Sequence, residues 1–149
     1  MGERGKQARA LFMQGHNCSQ SVAAAFSQEM GLDQELVMRM SSGFGGGMGR
    51  LREVCGAFSG AVLVLSTLYG SQDPARKTEI YTVVQQLAHR SAELNGSIVC
   101  KELLGLTRPE GSPVASERTG EYYKKRPCAD LVEQAADLVE EYIAAHPLP

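Results

Sequence analysis

The sequence predicts an all-α fold, a single-domain bundle of about six helices over residues 1–149 with a glycine-rich loop before the central helix. Three observations lead to this fold class. The chain has 149 residues, of which 43% are apolar, as expected for one domain with a buried core. Strong helix formers dominate, and their apolar residues recur at helical spacing. Clean alternation of apolar and polar residues, the mark of half-buried strands, is missing.

The first third of the chain shows three helices with recognisable starts. The first covers residues 3–14, with its apolar residues on one side. Asn17 is a suitable N-cap for a second helix over 18–30. Asp33 caps a shorter third helix, over 34–40.

The glycine-rich loop, residues 42–50, separates these helices from a long apolar one. That fourth helix is predicted over 53–69 and ends before Gly70. The pair Asp73 and Pro74 supplies an N-cap followed by proline at the first helical position, which opens a fifth helix over 74–93.

The last third of the chain mixes helix and loop. Ser97 is expected to cap a short helix over 98–104. Residues 107–120 are rich in Pro, Gly and Ser, which predicts an irregular surface loop. A final amphipathic helix is expected over 127–145, opened by its proline.

Composition excludes several classes of function. The net charge is −2 and no basic stripe is present, so nucleic acid is excluded as the expected partner. The most apolar segment, 55–69, has about 15 residues, short of the roughly 20 that a membrane span needs. The first residues are charged and lack an apolar signal-type stretch, which predicts a cytoplasmic protein without a membrane span.

The four cysteines, Cys18, Cys55, Cys100 and Cys128, all fall in or near the first turn of a predicted helix. A helix N-terminus carries partial positive charge and unpaired N–H donors, so it stabilises a thiolate, which is both the nucleophile and the metal ligand. Four such positions predict one shared redox or metal site. The alternative is that each cysteine is an inert, buried apolar residue.

Glycines around Cys55 suggest a cradle for a bound anion. In the loop, Gly45, Gly46, Gly47 and Gly49 permit positive φ, so their N–H groups and the adjacent Arg50 could line an anion site. The alternatives are a hinge or a plain connector. The P-loop and dinucleotide fingerprints both fail in this loop.

Two further glycines, Gly56 and Gly60, interrupt the predicted fourth helix, where each costs about 1 kcal/mol relative to alanine. They provide either close helix packing or room for a cofactor beside Cys55.

The segment CGAFSG, residues 55–60, reads C-G-A-x-x-G, with one cysteine upstream and two downstream. With NCSQSV at 17–22, the GGGMGR loop and VCKELLG at 99–105, the chain resembles the C_GCAxxG_C_C family of redox-active four-cysteine proteins. The order Cys-Gly-Ala stands here for the Gly-Cys-Ala of the family name. The resemblance covers residues 17 to about 139 and implies that the four cysteines are the redox or metal residues.

We therefore expect an iron–sulfur cluster held by the four thiolates, in a protein that transfers electrons to a partner protein. Zinc in the same site is the alternative metal. Two other hypotheses remain open: a metal-free protein that cycles between dithiol and disulfide, and a helical interaction domain with inert cysteines. The sequence does not identify the redox partner and leaves a homodimer open.

Overall fold

A computed structural model describes residues 2–105, 112–120, 122 and 126–148. It confirms the all-α class, since six helices of seven or more residues form a bundle and the described ranges contain no strand. The helices are α1 (Glu3–Met13), α2 (Cys18–Ala24), α3 (Ser27–Met30), α4 (Gln34–Ser41), α5 (Gly56–Tyr69), α6 (Lys77–Asn95), α7 (Cys100–Leu103) and α8 (Cys128–Ala145).

The bundle is organised around α2, α5 and α8. Helix α1 packs along α8, α2 packs against α5, and both α2 and α5 also contact α8. Helix α6 contacts the bundle through α5. The largest fully buried apolar side chains come from α1, α2, α4, α5, α8 and the α2–α3 junction: Phe12, Val22, Phe26, Val37, Val64, Leu65, Val132 and Val139. This core fixes the starts of α2, α5 and α8 near one another, and these are the cysteine-bearing ends.

The predicted second helix is wrong in one respect, because it is two helices. Helix α2 ends at Ala24, and α3 begins at Ser27. The Ser27 hydroxyl donates to the Ala24 carbonyl at 2.8 Å, and Phe26 leaves helical geometry with φ −109° and ψ 16°. The break lets the Phe26 ring reach the core, where it is fully buried. Burial of an aromatic ring offsets the lost helical hydrogen bonds.

The predicted fourth helix begins three residues late, at Gly56 rather than residue 53. Residues 53–55 are extended and pair antiparallel with residues 98–100 through an isolated bridge between Val54 and Val99. The Cys55 N–H donates to the Ile98 carbonyl at 2.8 Å, and the Cys100 N–H donates to the Glu53 carbonyl at 2.5 Å. The same pairing delays the short helix predicted from residue 98, which begins at Cys100.

The other predicted boundaries lie within a few residues of the observed ones. Asp73 caps a short 3-10 turn, Pro74–Arg76, which leads into α6. Helix α6 ends at Gly96, which takes a left-handed conformation with φ 88°. Of the predicted loop, residues 112–119 are irregular and residues 107–111 lie outside the described ranges. None of the helices described has the length and hydropathy needed to cross a membrane.

Candidate functional site

Four cysteines from four separate segments line one cavity of about 360 Å³. Cys18, Cys100 and Cys128 are the first residues of α2, α7 and α8, and Cys55 is the residue that precedes α5. All four are free thiols; Cys55 and Cys100 are buried, while Cys18 and Cys128 are half-buried. Folding thus brings the four cysteines predicted from the sequence to a common space.

Asn17 positions Cys18 through a capping box. Its side-chain oxygen accepts from the Gln20 N–H at 2.9 Å, and the Gln20 side chain accepts from the Asn17 N–H at 3.1 Å. The Asn17 amide also donates to the Ser42 carbonyl at 2.9 Å, which joins the start of α2 to the start of the glycine-rich loop. The cap therefore fixes both the helix start and the adjacent wall of the cavity.

The glycine-rich loop winds in the left-handed region for five residues in a row. The φ values are 66°, 71°, 72°, 55° and 66° for Gly46, Gly47, Met48, Gly49 and Arg50. This winding directs the N–H groups of residues 48–53 to carbonyls of the loop; Gly49, for example, donates to Gly43 at 2.9 Å. The N–H groups of Gly49 and Arg50 are therefore committed to the loop itself. All five residues of the predicted anion cradle line the cavity: Gly45, Gly46, Gly47, Gly49 and Arg50.

Close approach of a cysteine β-carbon explains Gly47 and Gly56. A β-carbon on Gly47 would lie 2.6 Å from the Cys100 β-carbon, and one on Gly56 would lie 3.2 Å from the Cys18 β-carbon. Gly60 lies outside the cavity lining, and a β-carbon there would lie 2.7 Å from the Ser19 carbonyl oxygen. Gly60 thus serves close packing of α5 on α2, and the alternative of room for a cofactor does not apply to it.

Arginine side chains supply the positive charge of the cavity lining, which includes Arg50, Arg52, Arg118 and Arg126. Arg52 is only 4% exposed, and its guanidinium Nη1 lies 3.8 Å from the Cys100 sulfur. Neither Arg118 nor Arg126 was predicted from the sequence as a site residue. The position of Arg126 two residues before Cys128 was an available signal, whereas nothing local marks Arg118.

Cys18 and Cys128 both line the cavity, and a hydrogen bond between their side chains shifts the pKa values of the two thiols in opposite directions. The bond from Cys18 lowers the pKa of Cys128 to about 7; burial opposes this, and the charges of Arg126, Arg52 and Arg118 assist it. The same bond, together with burial, raises the pKa of Cys18 well above its usual range. Of the two thiols, Cys128 is therefore the one that ionises first, and the Cys18 thiol is the donor that stabilises its charge.

The other two thiols are held neutral by burial. Burial raises the pKa of Cys55 to about 11, although the N–H groups of Phe58 and Ala57 at the start of α5 donate to its sulfur and offset part of the effect. Burial also raises the pKa of Cys100, against the opposing hydrogen bond and charge of Arg52. The sequence predicted that a helix start stabilises the thiolate. At Cys55 the N–H groups of α5 do lower the pKa, but burial raises it by more.

The four thiols share a cavity without surrounding a single point. Across residues 2–105, 112–120, 122 and 126–148, no three His, Cys, Asp or Glu side chains are placed to hold a metal ion together. A structural zinc ion needs four ligands within about 2.3 Å of one centre. Zinc in this cavity stays a prediction.

Comparison with known proteins identifies a family. The family model described as "Putative redox-active protein (C_GCAxxG_C_C)" matches residues 16–142 of this chain. No curated protein and no solved structure matches it. The matched range includes all four cysteines and the glycine-rich loop.

Proposed function

The chain belongs to the C_GCAxxG_C_C family of redox-active proteins, and we propose that it is an electron-transfer protein whose four cysteines bind an iron–sulfur cluster. The observation that carries the proposal is the convergence of Cys18, Cys55, Cys100 and Cys128, from four separate segments, on one cavity. Cysteines that only fill the core need not lie near one another, whereas the ligands of one cluster must.

The donor set fits this group in its chemistry. Cysteine thiolates are the usual ligands of iron–sulfur clusters. A cluster divides its ligands among several iron atoms, so its four thiol ligands need not surround a single point. When bound, such a cluster supplies one-electron transfer.

The chain's own residues contribute charge and shape. Arg52, buried with its guanidinium 3.8 Å from the Cys100 sulfur, stabilises negative charge on that ligand. Because Cys18, Cys55 and Cys100 are protonated in the metal-free protein near neutral pH, ligation must release their protons, and binding is expected to weaken as the pH falls.

Iron content tests the proposal directly. The protein is purified without oxygen, supplied with iron and sulfide, and analysed for iron, acid-labile sulfide, zinc and visible absorbance. We expect a brown protein that contains iron and sulfide, and loss of colour in Cys55→Ser and Cys100→Ser. His89→Gln, on the exposed face of α6, is the matched control and should keep the colour. A colourless wild type without iron would refute the cluster.

A second candidate function rests on the Cys18–Cys128 contact. In a metal-free cycle, the Cys128 thiolate attacks one sulfur of a low-molecular-weight disulfide and displaces one thiol. The Cys18 sulfur then attacks Cys128 in the mixed disulfide and displaces the second thiol. Two electrons and the two cysteine protons pass to the released thiols, and a Cys18–Cys128 disulfide remains.

Peptide mapping distinguishes this candidate. The iron-free protein is incubated with oxidised glutathione, and its disulfides are identified by mass spectrometry. The candidate predicts a Cys18–Cys128 disulfide with Cys55 and Cys100 still reduced. Persistence of four free thiols, or pairing of Cys55 with Cys100 instead, would contradict it.

A further inference from the structure

One wall of the cavity is an irregular segment, residues 112–118, which we call the strap. Pro113, Ala115, Ser116 and Arg118 line the cavity from this segment. Val114 points the other way and is 71% exposed. The strap therefore has the thiol cavity on one side and solvent on the other.

Arg50 holds the first part of the strap. Its guanidinium donates to the Ser112 carbonyl at 2.9 Å, to the Val114 carbonyl and to the Ser116 hydroxyl at 3.2 Å. Since Arg50 belongs to the glycine-rich loop, these bonds join two parts of the cavity lining, the loop and the strap.

Arg118 holds the other end of the strap on α1. Its guanidinium donates to the Phe12 and His16 carbonyls, both at 2.8 Å, and lies 4.1 Å from the centre of the Phe12 ring. These carbonyls lie at the carboxyl end of α1, where a cation is favoured by the helix dipole.

Few other contacts of the strap are described. It contributes no residue to the buried apolar core, and it forms no helix. A segment held by side-chain hydrogen bonds rather than by buried apolar area opens locally at a low free energy.

We propose that the strap is a latched gate that controls the access of solutes to the four thiols, with Arg50 and Arg118 as its two latches. This deepens the proposed function and concerns the same cavity. The solutes are iron and sulfide during assembly of the site, or a small disulfide in the metal-free cycle. Closure slows the access of oxidants to the thiols, and release of either latch opens the cavity further.

Alkylation of the metal-free, reduced protein tests the gate. Iodoacetamide is added under native conditions, and the rate at each cysteine is read by mass spectrometry. Arg50→Gln is expected to raise the rate at the cavity thiols about tenfold, as loss of hydrogen bonds to a charged group implies. Ser116→Ala removes a single latch contact and leaves the charge in place, so a smaller rise, about threefold, is expected.

Two comparisons make the result decisive. Arg90→Gln, on exposed α6, is the matched control and should keep the wild-type rate. Arg118→Gln removes a positive charge that lowers the pKa of Cys128, which by itself slows alkylation. A faster rate in this variant therefore reports opening.

Wild-type rates in Arg50→Gln, with the fold verified by circular dichroism, would overturn the gate. If Arg50→Gln does not fold, Ser116→Ala decides in the same way. The measurement uses protein without iron, so its outcome is independent of cluster binding, and the iron analysis above is independent of the strap.

Discussion

Gly47→Ala is the substitution for which the structure predicts the most specific damage. Gly47 has φ 71°, in the left-handed region, and its α-carbon packs against the segment that carries Cys100. A β-carbon there would lie 2.6 Å from the Cys100 β-carbon, 2.7 Å from the Glu53 nitrogen and 2.8 Å from the Arg52 carbonyl carbon. Two of these three neighbours are backbone atoms, which cannot move without disturbing the pairing of residues 53–55 with 98–100.

The expected loss of stability has two parts. A left-handed conformation costs an L-residue roughly 1–2 kcal/mol. Overpacking against atoms that cannot move adds about 1–3 kcal/mol. The sum for Gly47→Ala is about 2–5 kcal/mol. Gly49→Ala is the matched control, because Gly49 has φ 55° and nothing within 4 Å of its added β-carbon. It should lose only the conformational part, about 1–2 kcal/mol.

Urea unfolding, followed by circular dichroism, measures both free energies of unfolding. We expect Gly47→Ala to be less stable than Gly49→Ala by about 1–3 kcal/mol, the overpacking part alone. Alkylation of Cys100 should also change in Gly47→Ala and stay at the wild-type rate in Gly49→Ala. Equal destabilisation by the two substitutions would refute the close approach of the loop to Cys100.

Two further predictions concern residues at the starts of α2 and α8. In the metal-free protein, alkylation of Cys128 should rise with pH to a half-maximum near pH 7, because its pKa is about 7, while Cys55, with a pKa of about 11, reacts only at higher pH. Cys18→Ala should move the Cys128 midpoint upward, since it removes the hydrogen bond that stabilises the thiolate. Cys18→Ser keeps a donor and should move the midpoint less. An unchanged midpoint in Cys18→Ala, measured by mass spectrometry, would contradict the hydrogen bond between the two side chains. Asn17→Ala should lower the free energy of unfolding by about 1 kcal/mol or slightly more through loss of the capping box. Asn17→Ser also loses the donor to the Ser42 carbonyl but keeps a capping acceptor, so it should lose less in urea unfolding. A loss in Asn17→Ser as large as in Asn17→Ala would count against the cap.

Local signals predicted most of the helices and their starts. The Asn17 cap, the Asp73-Pro74 start and the end of α5 before Gly70 are all observed, because each depends on residues within one turn of the boundary. The α2–α3 break was not predicted, since it depends on where the core accepts the Phe26 ring.

The late start of α5 was missed for a related reason. Residues 53–55 would continue the helical pattern, but they pair with residues 98–100, more than forty positions along the chain. A hydrogen bond between such distant segments leaves no periodic trace in either of them. The hydrogen bonds of the strap were missed for the same reason, since those of Arg118 join residues 102 and 106 positions apart.

By itself the sequence determined the all-α class, the helix caps and the placement of each cysteine near a helix start, because these follow from periodicity and from interactions within a few residues. Only the tertiary structure decided that the four thiols share a cavity and that a hydrogen bond couples Cys18 to Cys128. It also decided that burial outweighs the N–H groups of α5 at Cys55 and the charge of Arg52 at Cys100. The pKa of a thiol depends on which charges and apolar atoms folding places around it, and those neighbours come from distant segments of the chain.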